Sequence, residues 1–147
     1  MTELLLSKGY EVHGVVRQTS TSNTIRIQHL FADQCKDGQL KLHVGDLTQN
    51  FDLVRILGEI RPVEIYNLGA QTQIGTSFES AEYTANVNAL GTLRLLEAIR
   101  TCGLEETARF YQASSCDMFS AGQGTTTQPT ALCETTPLNP SSPYGNS

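Results

Sequence analysis

With 147 residues, 39% of them hydrophobic and 17% charged, the chain suits one soluble domain with a buried core and excludes a disordered tail or a coiled coil. Ten Lys+Arg against fifteen Asp+Glu leave a net charge of -5 with no basic stripe, which argues against an electrostatic nucleic-acid binder. No apolar run reaches membrane-spanning length, and Met1–Lys8 lacks the cationic start and long apolar stretch of a secretory signal, so a cytoplasmic setting is expected.

In chain order, Leu4–Gly9 reads as the last turn of a helix with Gly9 just past its end. Tyr10–Val16 reads as a strand, Thr24–Asp33 as a helix, and Leu40–Val44 as a second strand ending at Gly45-Asp46. Phe51–Ile60 is helical and closed by Arg61-Pro62, and Val63–Leu68 is a third strand followed by Gly69-Ala70. Glu79–Thr101 is the longest helical pattern, with Val87, Leu90, Leu93, Leu96 and Ile99 expected on one broad face and Gly103 closing it. Thr107–Ala113 is a fourth strand. Residues 120–142 hold Thr125-Thr126-Thr127 and three of the five prolines, and read as a surface loop within the domain. Ser142-Pro143 then reads as an N-cap with proline at the first helical position. Alternating helices and strands predict an α/β protein with a Rossmann-type, doubly wound parallel sheet. The pattern opens inside a helix and closes as another begins, so the sheet is expected to be incomplete, its first strand and glycine-rich turn lying upstream. The four cysteines (35, 102, 116, 133) form no C-x-x-C pair, and His13, His29 and His43 are scattered. Free thiols and no metal site are expected.

Ligands of such sheets bind beyond the carboxyl ends of the strands. After the first strand comes Arg17-Gln18-Thr19-Ser20, where an acidic residue would bond the ribose hydroxyls of NAD. Arg17 can instead pair with a 2′-phosphate, with hydroxyl donors from Thr19 and Ser20, which favours NADP; a solvated arginine in a polar loop is the alternative. Asp46 can accept from an adenine amino group while Leu47 packs on the ring, or Asp46 can cap a helix. Leu68, Gly69, Ala70, Gln71 and Thr72 suit close approach of a cofactor or form a tight turn. Tyr83 covers a nucleotide or packs. Ser115 with Asp117, and Tyr144 after the loop, supply the hydroxyl and the tyrosine of a hydride-transfer site. A lysine four residues after Tyr144, at position 148, would lower the tyrosine pKa.

Lys8–Gly14, Gly45–Thr48, Glu64–Gln71, Ala81–Ala85, Gly91–Leu96, Phe110–Ser114 and Ser142–Gly145 together resemble the extended short-chain dehydrogenase/reductase superfamily and, within it, the GDP-mannose 4,6-dehydratase family. The similarity covers nearly the whole chain and falls short only from Ser120 to Leu132. It implies a lyase that oxidises C4 of GDP-mannose with NADP, eliminates water across C5 and C6, and returns the hydride to C6, the first step toward GDP-fucose. It assigns Tyr144 as base, Ser115 as holder of the C4 oxygen and Asp117 as elimination acid/base. Arg17, Gln18, Thr19, Ser20, Asp46, Leu47, Leu68, Gly69, Ala70, Gln71, Thr72 and Tyr83 become cofactor contacts. The family has Thr-Ser-Glu where this chain has Ser115-Cys116-Asp117, so the carboxylate reach is shorter by about 1.5 Å. The resemblance further implies a homo-oligomer, and that residues 1–147 are part of the NADP-binding domain, with the substrate-binding part elsewhere. Two other readings stand beside this one. A nucleotide-sugar epimerase of the same superfamily would need no acid at position 117. A non-catalytic degenerate chain would keep only packing or dimer surfaces.

Overall fold

The structure is a computed structural model that describes residues 1–20, 24–33, 38–122 and 132–147, and the side chains at 31–33 and 120–122 are not described. Cys35 and residues 123–131 of the expected loop lie outside the described residues. In chain order come α1 (Thr2–Ser7), β1 (Val12–Val16), a 3₁₀ turn (Ile25–Ile27) running into α2 (Gln28–Asp33), β2 (Leu40–Val44), α3 (Asn50–Ile60) and β3 (Glu64–Asn67). They are followed by α4 (Ile74–Glu79), α5 (Ala81–Thr101), β4 (Arg109–Gln112), a 3₁₀ segment (Cys116–Gly122) and α6 (Pro143–Asn146).

The strands pair in parallel, two and two: Val12 opposite Leu40 through Val16 opposite Val44, and Glu64 opposite Arg109 through Asn67 opposite Gln112. The two pairs are separate two-stranded parallel sheets, the two flanks of the fold. Helices join the flanks. α3 packs on α5, and Leu53, Leu57, Leu95, Ala98, Ile99 and Leu104 form the main core cluster, with Ile65 and Phe110 of the β3–β4 pair against it. The β1–β2 pair has a smaller cluster of Leu6, Leu30 and Leu40.

Helix ends follow their local chemistry. Gly103, at φ 61, turns the chain out of α5 so that the Leu104 amide bonds the Ile99 carbonyl (3.1 Å) and the Leu104 side chain drops into the core. Gly9 does the same after α1, at φ 82. Arg61 closes α3 in the left-handed region (φ 48), which costs a non-glycine residue about 1–2 kcal/mol. Its guanidinium donates to the Cys102 carbonyl (3.1 Å), tying the ends of α3 and α5 together.

Two expectations need correction. The long helix is α5, which begins at Ala81 and not at Glu79, because Ser80, at φ -134 and ψ 52, separates it from the short α4, an element the sequence pattern does not suggest. The leucine repeat of α5 also does not lie on one face. Val87 and Ile99 are buried with Leu95 and Ala98, whereas Leu90, Leu93 and Leu96 are exposed. A spacing of three falls short of the 3.6-residue turn, so each step rotates the position by about 60° and the series wraps around the helix.

Candidate active site

The carboxyl ends of the four strands and the N-terminal half of α5 frame the site. Beyond β1, residues 17–20 are exposed, and the Arg17 guanidinium donates to the Tyr83 hydroxyl (2.8 Å) in the first turn of α5. Two residues 66 positions apart, each a separate candidate in the sequence, are thus in contact.

Beyond β2, Asp46 does not cap α3, whose N-cap is Gln49. Its Oδ1 accepts from the Thr48 amide and hydroxyl, both at 2.9 Å, closing a local turn ahead of the helix. That turn aims Leu47 into a slot between two glycines. A β-carbon at Gly69 would lie 3.0 Å from Leu47 Cδ1, and one at Gly91 would lie 3.0 Å from Leu47 Cβ. Arg94 of α5 holds the same place, donating to the carbonyls of Asn86 (3.0 Å) and Leu47 (3.4 Å). Leu47 is therefore a wedge that fixes the β3 turn against α5.

Beyond β3, Asn88 of α5 brackets the turn. Its Oδ1 accepts from the Gln71 amide (2.8 Å), and its Nδ2 donates to the Gln71 carbonyl (3.0 Å) and to Ser147 Oγ (3.2 Å). Leu68, Gly69, Ala70 and Thr72 are exposed. Gln71 Nε2 donates to the Gln73 carbonyl, while Gln71 Oε1 is a buried acceptor with no partner among the described residues.

Beyond β4, Ser115 Oγ accepts from the Asp117 amide (3.2 Å) at the start of the 3₁₀ segment. Ser142 caps α6 through its Oγ, which accepts from the Gly145 amide (3.0 Å), and Pro143 stands at the first turn. α6 lies flush on the 3₁₀ segment: a β-carbon at Gly145 would come within 2.7 Å of the Asp117 carbonyl oxygen. The Asn139 amide bonds the Met118 carbonyl (2.8 Å) and secures the chain on its way back to α6. Tyr144, half-buried, thus sits on the short helix that packs against the segment carrying Asp117, whose amide bonds Ser115.

Residue types at strand ends do not reveal the polar residues that join these parts. Asn67, buried at the end of β3, donates to Gln112 Oε1 of β4 (2.8 Å). Thr84, Asn88 and Thr92 form an i, i+4 stripe of buried or half-buried polar side chains on α5, and that spacing is the signal in the sequence that could have found them. Among the described residues no cluster of three or more His, Cys, Asp or Glu could hold a metal. No described helix is long and apolar enough to cross a membrane.

This arrangement has counterparts in known proteins. In solved structures, the UDP-Glc/GlcNAc 4-epimerase from Campylobacter jejuni matches with a TM-score of 0.81 at 20% identity, covering 99% of this chain and 40% of that one. The Thermus thermophilus UDP-glucose 4-epimerase, solved in complex with NAD, matches at 0.74 and 27% identity over 99% of this chain and 42% of that one. These likenesses confirm a Rossmann-type α/β fold. Among curated relatives, the GDP-mannose 4,6 dehydratase of Homo sapiens is 50% identical over 147 residues, and that of Vibrio cholerae is 52% identical over 145. The chain covers 38% of the length of each, and they cover 99% and 98% of it respectively. With the GDP-mannose 4,6 dehydratase family profile matching residues 1–147, the chain belongs to the GDP-mannose 4,6-dehydratase family.

Proposed function

We propose that this chain is the cofactor-binding portion of a lyase that converts GDP-mannose to GDP-4-keto-6-deoxymannose with NADP. The observation that supports the reading is the seating of α6 on the 3₁₀ segment, with Gly145, the neighbour of Tyr144, against the Asp117 carbonyl. Tyr144 takes the proton from the C4 hydroxyl, and Ser115 holds the same oxygen. Once C4 is a ketone, the C5 proton is acidic, and the Asp117 carboxylate assists its removal and the loss of water at C6.

The residues at the strand ends fit a nicotinamide dinucleotide, which when bound accepts the hydride from C4 and returns it to C6. A buried, unpartnered acceptor at Gln71 suits a donor such as a ribose hydroxyl. Arg17, held by Tyr83, stands where an NAD site would carry a carboxylate and can pair with a 2′-phosphate, so NADP is the cofactor proposed. Gln18, Thr19, Ser20, Asp46 and Leu47 complete the adenosine end, and Leu68, Gly69, Ala70 and Thr72 lie along the dinucleotide. The outward Leu90, Leu93 and Leu96 of α5 are the proposed contact face of a homo-oligomer in a cytoplasmic protein.

The test is incubation of the full-length protein that contains this portion with GDP-mannose and NADP⁺, read by mass spectrometry. The expected product is lighter by one water and carries a 4-keto group, and Tyr144→Phe is expected to slow its formation by about 100-fold or more. A product of unchanged mass, epimerised at C4, or no product at all, contradicts the proposal.

A further inference from the structure

On the face of the β1–β2 pair that bears His13 and Val15, two histidines meet across the strands. His13 stands opposite Lys41 and His43 opposite Val15, so the imidazoles are diagonal neighbours. His13 Nδ1 lies 2.9 Å from His43 Nε2, with ring planes 19° apart and centroids separated by 5.1 Å. That separation matches two rings meeting edge to edge through one N–H···N bond. The other nitrogen of His13, Nε2, lies 3.0 Å from Glu11 Oε1, and Lys41 Nζ donates to the same oxygen.

These contacts limit how many protons the pair can hold. The Glu11 carboxyl is held below its usual range by its bonds from Lys41 and His13, so it is ionised and only accepts. His13 Nε2 therefore carries a hydrogen. In the neutral pair, His43 Nε2–H donates to His13 Nδ1. One added proton reverses the bond: His13 becomes the donor, His43 accepts through Nε2, and its own hydrogen moves to Nδ1. A second proton sets N–H against N–H with no acceptor between them.

We propose that this pair is a proton-operated clasp between β1 and β2, which tolerates one added proton and opens on the second, loosening the strands that carry Arg17–Ser20 and Asp46–Leu47. Every charged neighbour bears on that step. Burial pushes the His43 pKa down, as do charges on His13, Arg55 of α3 and Lys41, while Glu59 of α3 opposes them. His43 thus binds a proton less readily folded than unfolded. The stability it confers is present above the ordinary imidazole range and is lost as pH falls through its lowered value.

The test uses ligand-free protein and is independent of the dehydratase reading. Ring ¹⁵N NMR should show two coupled histidine steps, with His43 gaining its proton below the pH at which a free histidine does. The denaturant midpoint of the wild type should fall between about pH 7.5 and about pH 5 by more than that of His43→Gln, whose amide still donates to His13 but has no proton to gain. Rings titrating as two independent, unshifted imidazoles would overturn the clasp even if the variant fails to fold. So would equal losses of stability in the two proteins.

Discussion

The two strand pairs are alike in size and direction but are held by different forces. The β3–β4 pair rests on the main core and is held by buried and half-buried polar groups: Asn67 of β3 donates to Gln112 of β4 and to Thr92 of α5, and Asn88 of α5 bonds both the amide and the carbonyl of Gln71. The β1–β2 pair rests on three buried leucines and on side-chain contacts near the surface: Glu11 with Lys41, Glu3 with His29, Arg17 with Tyr83. The difference follows the proposed chemistry. Proton transfer at Tyr144 and Asp117 needs groups placed within a fraction of an ångström, and buried hydrogen bonds supply that rigidity. Recognition of an anionic phosphate by Arg17 tolerates an exposed loop.

Stability separates the halves most strongly. Leu104→Ala removes a side chain only 1% exposed from the six-residue cluster that joins α3 to α5, and is expected to cost about 3–5 kcal/mol. Leu40→Ala opens a smaller cluster that can collapse around it, and is expected to cost about 2 kcal/mol. Equal losses in chemical denaturation would break the comparison.

Cofactor binding gives the next effect. Arg17→Ala is expected to weaken binding of 2′,5′-ADP by roughly tenfold while leaving 5′-AMP unchanged by calorimetry. A parallel loss for both ligands would mean that Arg17 supports the loop and does not read the phosphate.

The smallest effect lies outside both pairs. Hydroxyl hydrogen bonds from Thr135 and Thr136 lower the pKa of the exposed Cys133 thiol to about 7. Near neutral pH about half of Cys133 is thiolate, so iodoacetamide should modify it roughly tenfold faster than an ordinary exposed thiol. Cys133→Ser should abolish the fast phase, and a fast phase that persists in that variant would assign it to another cysteine.

Local signals in the sequence are enough to read most elements. Gly9 and Gly103 mark helix ends, Arg61-Pro62 closes α3, and Ser142-Pro143 opens α6, because each of these residues acts on its own stretch of backbone. The short α4 ahead of Ser80 is not legible, since no glycine or proline marks its boundary with α5. The candidate site is legible as residue types at strand ends. Its assembly is not: the Leu47 wedge depends on Gly69 and Gly91, which lie 22 and 44 positions later, and the Asn88 bracket depends on a turn 17 residues earlier. Such dependencies exist only once the chain is packed. Asp46 shows the limit from the other side, because its side chain is committed to a turn with Thr48 and not to the helix cap that its position suggests.

The most direct test of the account is turnover of GDP-mannose by the full-length protein carrying Gly145→Ala beside the one carrying Gly75→Ala. A methyl at Gly145 would meet the Asp117 carbonyl oxygen at 2.7 Å and push α6 off the 3₁₀ segment, whereas a methyl at Gly75 in α4 meets nothing within 4 Å. If the seating of α6 places Tyr144 for reaction, Gly145→Ala should lower turnover by about 100-fold while Gly75→Ala stays near wild type. Wild-type turnover by Gly145→Ala would contradict the central claim.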